Sequence, residues 1–167
     1  TPRSSSAASD VYKRQDEVHE IRDAVAADIM TLIVNQISGC GLPQATMCDL
    51  STSFADKAFS LTKYSCLGQH VLAHEVGHAM GAEHTSFECA VAPFAYSAAT
   101  PDQQFGSIMS VIGTRINQWS FDGGMWNGMP IGSALEDVAR SHNVVAPTVA
   151  AFRSPIAPYA STMGALS

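Results

Sequence analysis

The chain has 167 residues, 46% of them apolar and 14% charged, which is enough for one domain with a real core and no more. Its net charge is −6 and its basic residues gather only at the extreme N-terminus, which argues against a nucleic-acid partner. No apolar run approaches the ~18 residues of a membrane-spanning helix, so no span is expected in this stretch.

Residues 1–15 have no apolar periodicity and none of the charged-then-apolar layout of a signal peptide. They read as a disordered leader, and the string resembles a translated library adapter rather than natural protein. From Asp16 onward Val18, Ile21 and Val25 recur at helical spacing, which predicts a short amphipathic helix. Residues 28–35 form a branched, apolar run that predicts an interior strand covered on both faces. Residues 38–43, rich in Gly and ending in Pro, break it. Residues 49–56 read as a polar loop, and residues 58–64 alternate well enough for a half-buried strand. Residues 67–73 lead into a second helix, with Leu72, Val76, Ala79 and Met80 available to pack under a sheet. Gly77 inside that helix costs about 1 kcal/mol relative to alanine, so another backbone or a substrate is expected to approach it closely.

Residues 85–106 have little period and contain Pro93 and Pro101, and residues 111–132 are rich in Gly, Trp and Asn. Both stretches are expected to be irregular. Ser133-Ala134-Leu135-Glu136 looks like a capping box that opens a helix running to about Asn143, with Leu135, Val138 and Ala139 inward. Residues 154–167 read as a flexible tail. Four cysteines, Cys40, Cys48, Cys66 and Cys89, include no C-x-x-C pair, which disfavours a thiolate metal site, and their even number favours disulfides in one of three pairings, with buried free thiols the alternative.

The most informative stretch is His74-Glu75-Val76-Gly77-His78-Ala79-Met80-Gly81-Ala82-Glu83-His84. A helix turns ~100° per residue, so His74 and His78 project from one face and can share one metal ion. Glu75 follows the first of them, where its carboxylate can act as a general base on water beside the metal. Gly81 is the residue most able to stop the helix in a left-handed conformation and return His84 to the same ion. Three imidazoles leave one position open, the arrangement of a catalytic rather than a structural zinc.

This string resembles the metzincin signature H-E-x-x-H-x-x-G-x-x-H at every fixed position. Ser107-Ile108-Met109-Ser110 looks like the methionine turn that metzincins place beneath the metal. The order of elements, with Gly128-Met129-Pro130-Ile131-Gly132 and the closing Val149-Ala150-Ala151-Phe152-Arg153, is similar to the reprolysin-like (adamalysin-type) branch, especially its bacterial members. The resemblance covers about residues 16–153. It implies an α/β (α+β) metzincin-type fold: a mixed, mostly parallel sheet packed on the metal helix, followed by the methionine turn and a C-terminal helix. The opening strands and first long helix of such a domain have no counterpart here, so the chain reads as a partial catalytic domain truncated at its N-terminus. Thr85 stands where venom-type members carry aspartate, and Asp122 where a proline is expected.

By the same resemblance, the residues near Leu42 to Thr46 are expected to form an edge strand that pairs with extended substrate, with an ordinary loop the equal alternative, and Cys40 is expected to bond Cys66. The function implied is that of a secreted, monomeric Zn2+ endopeptidase acting on proteins or peptides. His74, His78 and His84 hold the metal, Glu75 moves the proton and Met109 supports the site from below. Two other readings compete: a gluzincin-type peptidase recruiting Glu136, and a non-catalytic zinc-binding or adhesion module of the same fold. His19, His70 and His142 are read as surface or helix-end residues, with His70 a possible outer-shell group, and Glu83 and Glu88 as solvated.

Overall fold

The computed structural model describes residues 17–155, which divide into two units. The expected leader and most of the expected tail lie outside the described residues. Of the described residues, the smaller unit holds 17–27 and 153–155. In it, the predicted amphipathic helix forms at residues 17–24 (α1), and Arg153 Nε donates to Asp23 Oδ1 at 2.6 Å.

The larger unit, residues 28–152, contains a three-stranded sheet of β1 (Met30–Val34), β2 (Gly41–Pro43) and β3 (Phe59–Lys63), in the order β1-β3-β2. β1 runs parallel to β3, pairing Met30 with Phe59 and Val34 with Lys63, while β2 runs antiparallel, pairing Leu42 with Leu61. Two features correct the reading from sequence. The sheet is evenly mixed rather than mostly parallel. β1 is also not covered on both faces, because Leu32 and Ile33 are 48% and 49% exposed and among the described residues β3 is its only neighbour. Branched apolar composition reports a strand that prefers burial, and it does not say how many strands flank it. β2 lies at the other edge and takes in Leu42 and Pro43 of the expected edge strand, while residues 44–46 fall outside it.

Below the sheet order, the chain between β2 and β3 turns through a 3-10 helix, Thr52–Lys57, whose N-cap Ser51 accepts from the Ser53 N–H. That turn lowers Phe54 and Ala55 into a core with Met47, Ala58, Ala79, Val145, Val149 and Phe152. A second 3-10 helix, Tyr64–Gln69, connects β3 to α2 (Val71–Ala79). Leu72 is exposed and Val71 takes the buried place instead, while Ala79 joins the core and Met80 packs against it.

The region after α2 is largely irregular, as expected, with short ladders between β4 (Phe105–Gly106) and β5 (Thr114–Arg115), and between β6 (Met125–Trp126) and β7 (Met129–Pro130). The helix α3 runs from Val138 to Val149. It starts four residues later than the capping-box reading placed it, with the cap at Asp137 instead of Ser133. Ser133 and Glu136 do bond, Oγ to Oε2 at 3.0 Å, but their backbones also pair in both directions and close a tight turn that leaves Leu135 exposed. The true cap is Asp137, whose Oδ1 accepts the Arg140 N–H at 2.9 Å.

Candidate metal centre

α2 delivers two of the three histidines, and its terminator delivers the third. His74 and His78, four apart, are both buried on one face of the helix. The helix then ends in a Schellman motif: Gly81 N–H donates to the His78 carbonyl and Ala82 N–H to the Gly77 carbonyl, both at 2.9 Å, with Gly81 at φ +78°. A side chain at Gly81 would meet both that left-handed backbone and a wall, since a Cβ there would overlap Val91 and the Met47 carbonyl. The reversal carries His84 back to the other two.

The three ring centroids lie 4.7–5.0 Å apart, and one nitrogen from each ring falls within 4.8 Å of the others. The opposite nitrogens are occupied. His74 Nδ1–H donates to the Ile108 carbonyl at 2.8 Å, and His78 Nδ1–H to the Ala82 carbonyl at 3.1 Å. A carbonyl only accepts, so these bonds fix the proton on Nδ1 and leave the Nε2 lone pair free. His84 Nδ1 faces the carboxylates of Glu83 and Glu88 at 3.6 and 3.4 Å. His84 Nε2 sits only 3.0 Å from His74 Nε2. At that distance either a proton or a cation must lie between the two nitrogens, and with three ring nitrogens converging the donor set fits a shared divalent metal. Burial also pushes the His74 pKa down to about 3, which keeps its imidazole neutral and ready to ligate.

Glu75 lies on the same helix, also buried, with Oε2 lacking any hydrogen-bond partner among the described residues. Burial raises its pKa, against the pull of His78 and Arg115. Gly41, the first residue of β2, packs directly on the carboxylate, and a Cβ at that position would occupy the same space as Glu75 Oε1. Cys40, one residue earlier, is bonded to Cys66 in the 3-10 helix before α2, and Cys48 is bonded to Cys89.

Residues 107–110 form a turn closed by Ser110 N–H to the Ser107 carbonyl at 2.8 Å, and Met109 is fully buried beside Ala82, Val138 and Trp119. The close neighbour at Gly77 is neither backbone nor substrate, because a Cβ there would overlap the Met109 sulfur. His142 of α3 meets Trp119 edge-on at 4.5 Å. It is no helix-end cation: burial pushes its pKa down to about 4. His70 takes a left-handed backbone at the start of α2 and stands outside the histidine group. Glu136 is held at its turn, also outside that group.

Glu83 was misread from sequence as solvated. It is 8% exposed, accepts from Thr46 Oγ1 and from the His84 N–H, and approaches His78 Nδ1 to 3.5 Å. Burial alone would raise its pKa, but the bonds from His78 and Thr46 hold it down to about 2. The only sequence signal was its place next to His84, since imidazoles that ligate metals commonly lean on a carboxylate.

Comparison with known proteins agrees with this geometry. The profile described as metallo-peptidase family M12B, reprolysin-like, matches residues 1–85, a stretch that includes all three histidines and Glu75. Peptidyl-Asp metalloendopeptidases of Stenotrophomonas maltophilia strains K279a and R551-3 are each 32% identical over 157 residues, covering 87% of this chain and 36% of theirs. The peptidyl-Asp metalloendopeptidase of Xanthomonas campestris pv. campestris is 29% identical over 150 residues, covering 83% of this chain and 34% of its own. The chain thus spans about a third of the length of these relatives. A solved structure titled "Structure of a chaperone-substrate complex" shares the fold, with a TM-score of 0.63 at 20% identity over 86% of this chain and 24% of that one. With the profile match spanning half its length and holding the whole histidine string, the chain belongs to the reprolysin-like M12B family of metallopeptidases.

Proposed function

We propose that this chain is the catalytic part of a zinc-dependent endopeptidase that hydrolyses peptide bonds in proteins. The observation that carries the reading is the convergence of three imidazole nitrogens whose opposite nitrogens are already engaged, next to a buried carboxylate with an unpartnered oxygen. His74, His78 and His84 would hold the ion, and when bound zinc supplies Lewis acidity that acidifies water and polarises a carbonyl. Glu75 accepts a proton from water and returns it to the leaving amine nitrogen. Its raised proton affinity suits a group that must hold the proton between those steps. Met109, pressed on Gly77, supports the helix beside its histidine face. Two disulfides favour an oxidising, extracellular setting. The relatives' names direct attention to substrates containing aspartate.

Glu136 lies apart from the histidine group, which disfavours a gluzincin-type ligand set, and retention of Glu75 disfavours a purely adhesive module. The test is proteolysis of denatured casein by the full-length protein, with zinc measured in the same sample. Glu75→Gln should retain zinc and lose cleavage. Cleavage undiminished in that variant, or undiminished after the metal is stripped by a chelator, would defeat the reading.

A further inference from the structure

A cavity of about 520 Å³ opens in the larger unit, with Cys40, Gln69, Ser110, Thr114 and Arg115 in its lining. Three of its neighbours tie it to the centre. Cys40 precedes the Gly41 that packs on the Glu75 carboxylate. Ser110 closes the turn whose Ile108 carbonyl orients His74. Arg115 is near enough to Glu75 for each to shift the other's proton affinity. The lining contains thiol-derived, amide, hydroxyl and apolar groups, with one formal charge, that of Arg115.

The guanidinium is placed but not spent. Its Nε donates to the Ser110 carbonyl at 2.9 Å, which fixes the plane of the group, and among the described residues no carboxylate lies within ion-pair distance of it. Nature seldom leaves a half-buried arginine in a concave site with its terminal nitrogens unpaired by acid, because desolvating the charge is costly. A carboxylate arriving on a substrate would accept from both terminal nitrogens in the forked geometry that guanidinium favours.

We infer that Arg115 reads the substrate side chain next to the scissile bond, and that the side chain it selects is a carboxylate. The inference rests on the endopeptidase reading above and adds its specificity residue. The neutral amide isostere would leave the guanidinium without its partner, so discrimination between Asp and Asn should be large.

The test uses the full-length, zinc-loaded protein and two fluorogenic peptides that differ only by Asp or Asn at one position, with products located by mass spectrometry. The wild type should cut beside Asp with kcat/KM about 30-fold or more above the Asn peptide, and Arg115→Gln should bring the two within about 3-fold of each other. Arg115→Lys, which keeps the charge but not the fork, should retain a reduced preference. A preference unchanged in either variant overturns the inference. So does an Arg115→Gln protein that keeps its zinc and fold yet cuts neither peptide, since Arg115 would then support Glu75 rather than choose substrate. Equal cutting of both peptides by the wild type overturns it while leaving the endopeptidase reading intact. Failure of the zinc-loaded wild type on both peptides and on casein defeats that reading instead.

Discussion

Single side chains set the chemistry, and they divide by how visible they were. The convergence of His74, His78 and His84, with Glu75 buried on the same helix, is legible because spacing on a helix is a matter of one-dimensional arithmetic. Glu83 and His142 are not, because their environments come from Thr46 and Trp119, 37 and 23 residues away in the chain. If Glu75 moves the proton, Glu75→Gln should lower kcat/KM by about 100-fold to 10,000-fold with zinc content unchanged. If Glu83 steadies two ligands, Glu83→Gln should weaken zinc binding about 10-fold to 100-fold, measured by competition with a chromogenic chelator.

His142 makes a prediction about pH. Its pKa is about 4 in the fold, against ~6.5 in an unfolded chain. Between those values the unfolded chain binds more protons, so stability falls as pH drops from about 6.5 toward 4. Urea unfolding at pH 7 and pH 5 should differ by up to about 2 kcal/mol more in the wild type than in His142→Phe. An identical difference in both proteins would remove His142 from the account.

At the scale of elements, stops matter more than starts. Gly81 was legible as a terminator because a left-handed residue needs no long-range information to recognise. Ser133 and Glu136 misled for the converse reason: the reciprocal bonds of a capping box and of a tight turn use the same two side chains. Only the fold around Asp137 decides which one forms. β1 misled in another way, since its composition reports preference and its Leu32 and Ile33 exposure reports neighbours. Gly81→Ala should cost about 2–4 kcal/mol, combining a left-handed alanine with overlap against Val91, and should displace His84. Zinc-dependent stabilisation should therefore shrink more in this variant than the loss of fold stability alone requires. Denaturation with and without zinc measures both.

Over the larger unit, the two disulfides tie the elements of the centre together across the chain. Cys40–Cys66 spans 26 residues and joins the edge strand that bears Gly41 to the turn that delivers α2. Replacing both cysteines with serine should cost about 3 kcal/mol by the chain-entropy estimate. It should also lower kcat more than zinc occupancy, because Gly41 would no longer be held against Glu75. Activity and zinc content of the double variant, compared at a temperature where both proteins are folded, check this.

Covalent closure also sets a condition on when the centre is complete. With thiols in place of the bond, the residue that presses on Glu75 would hang on an untethered edge, so activity should be gained on oxidation rather than on synthesis of the chain.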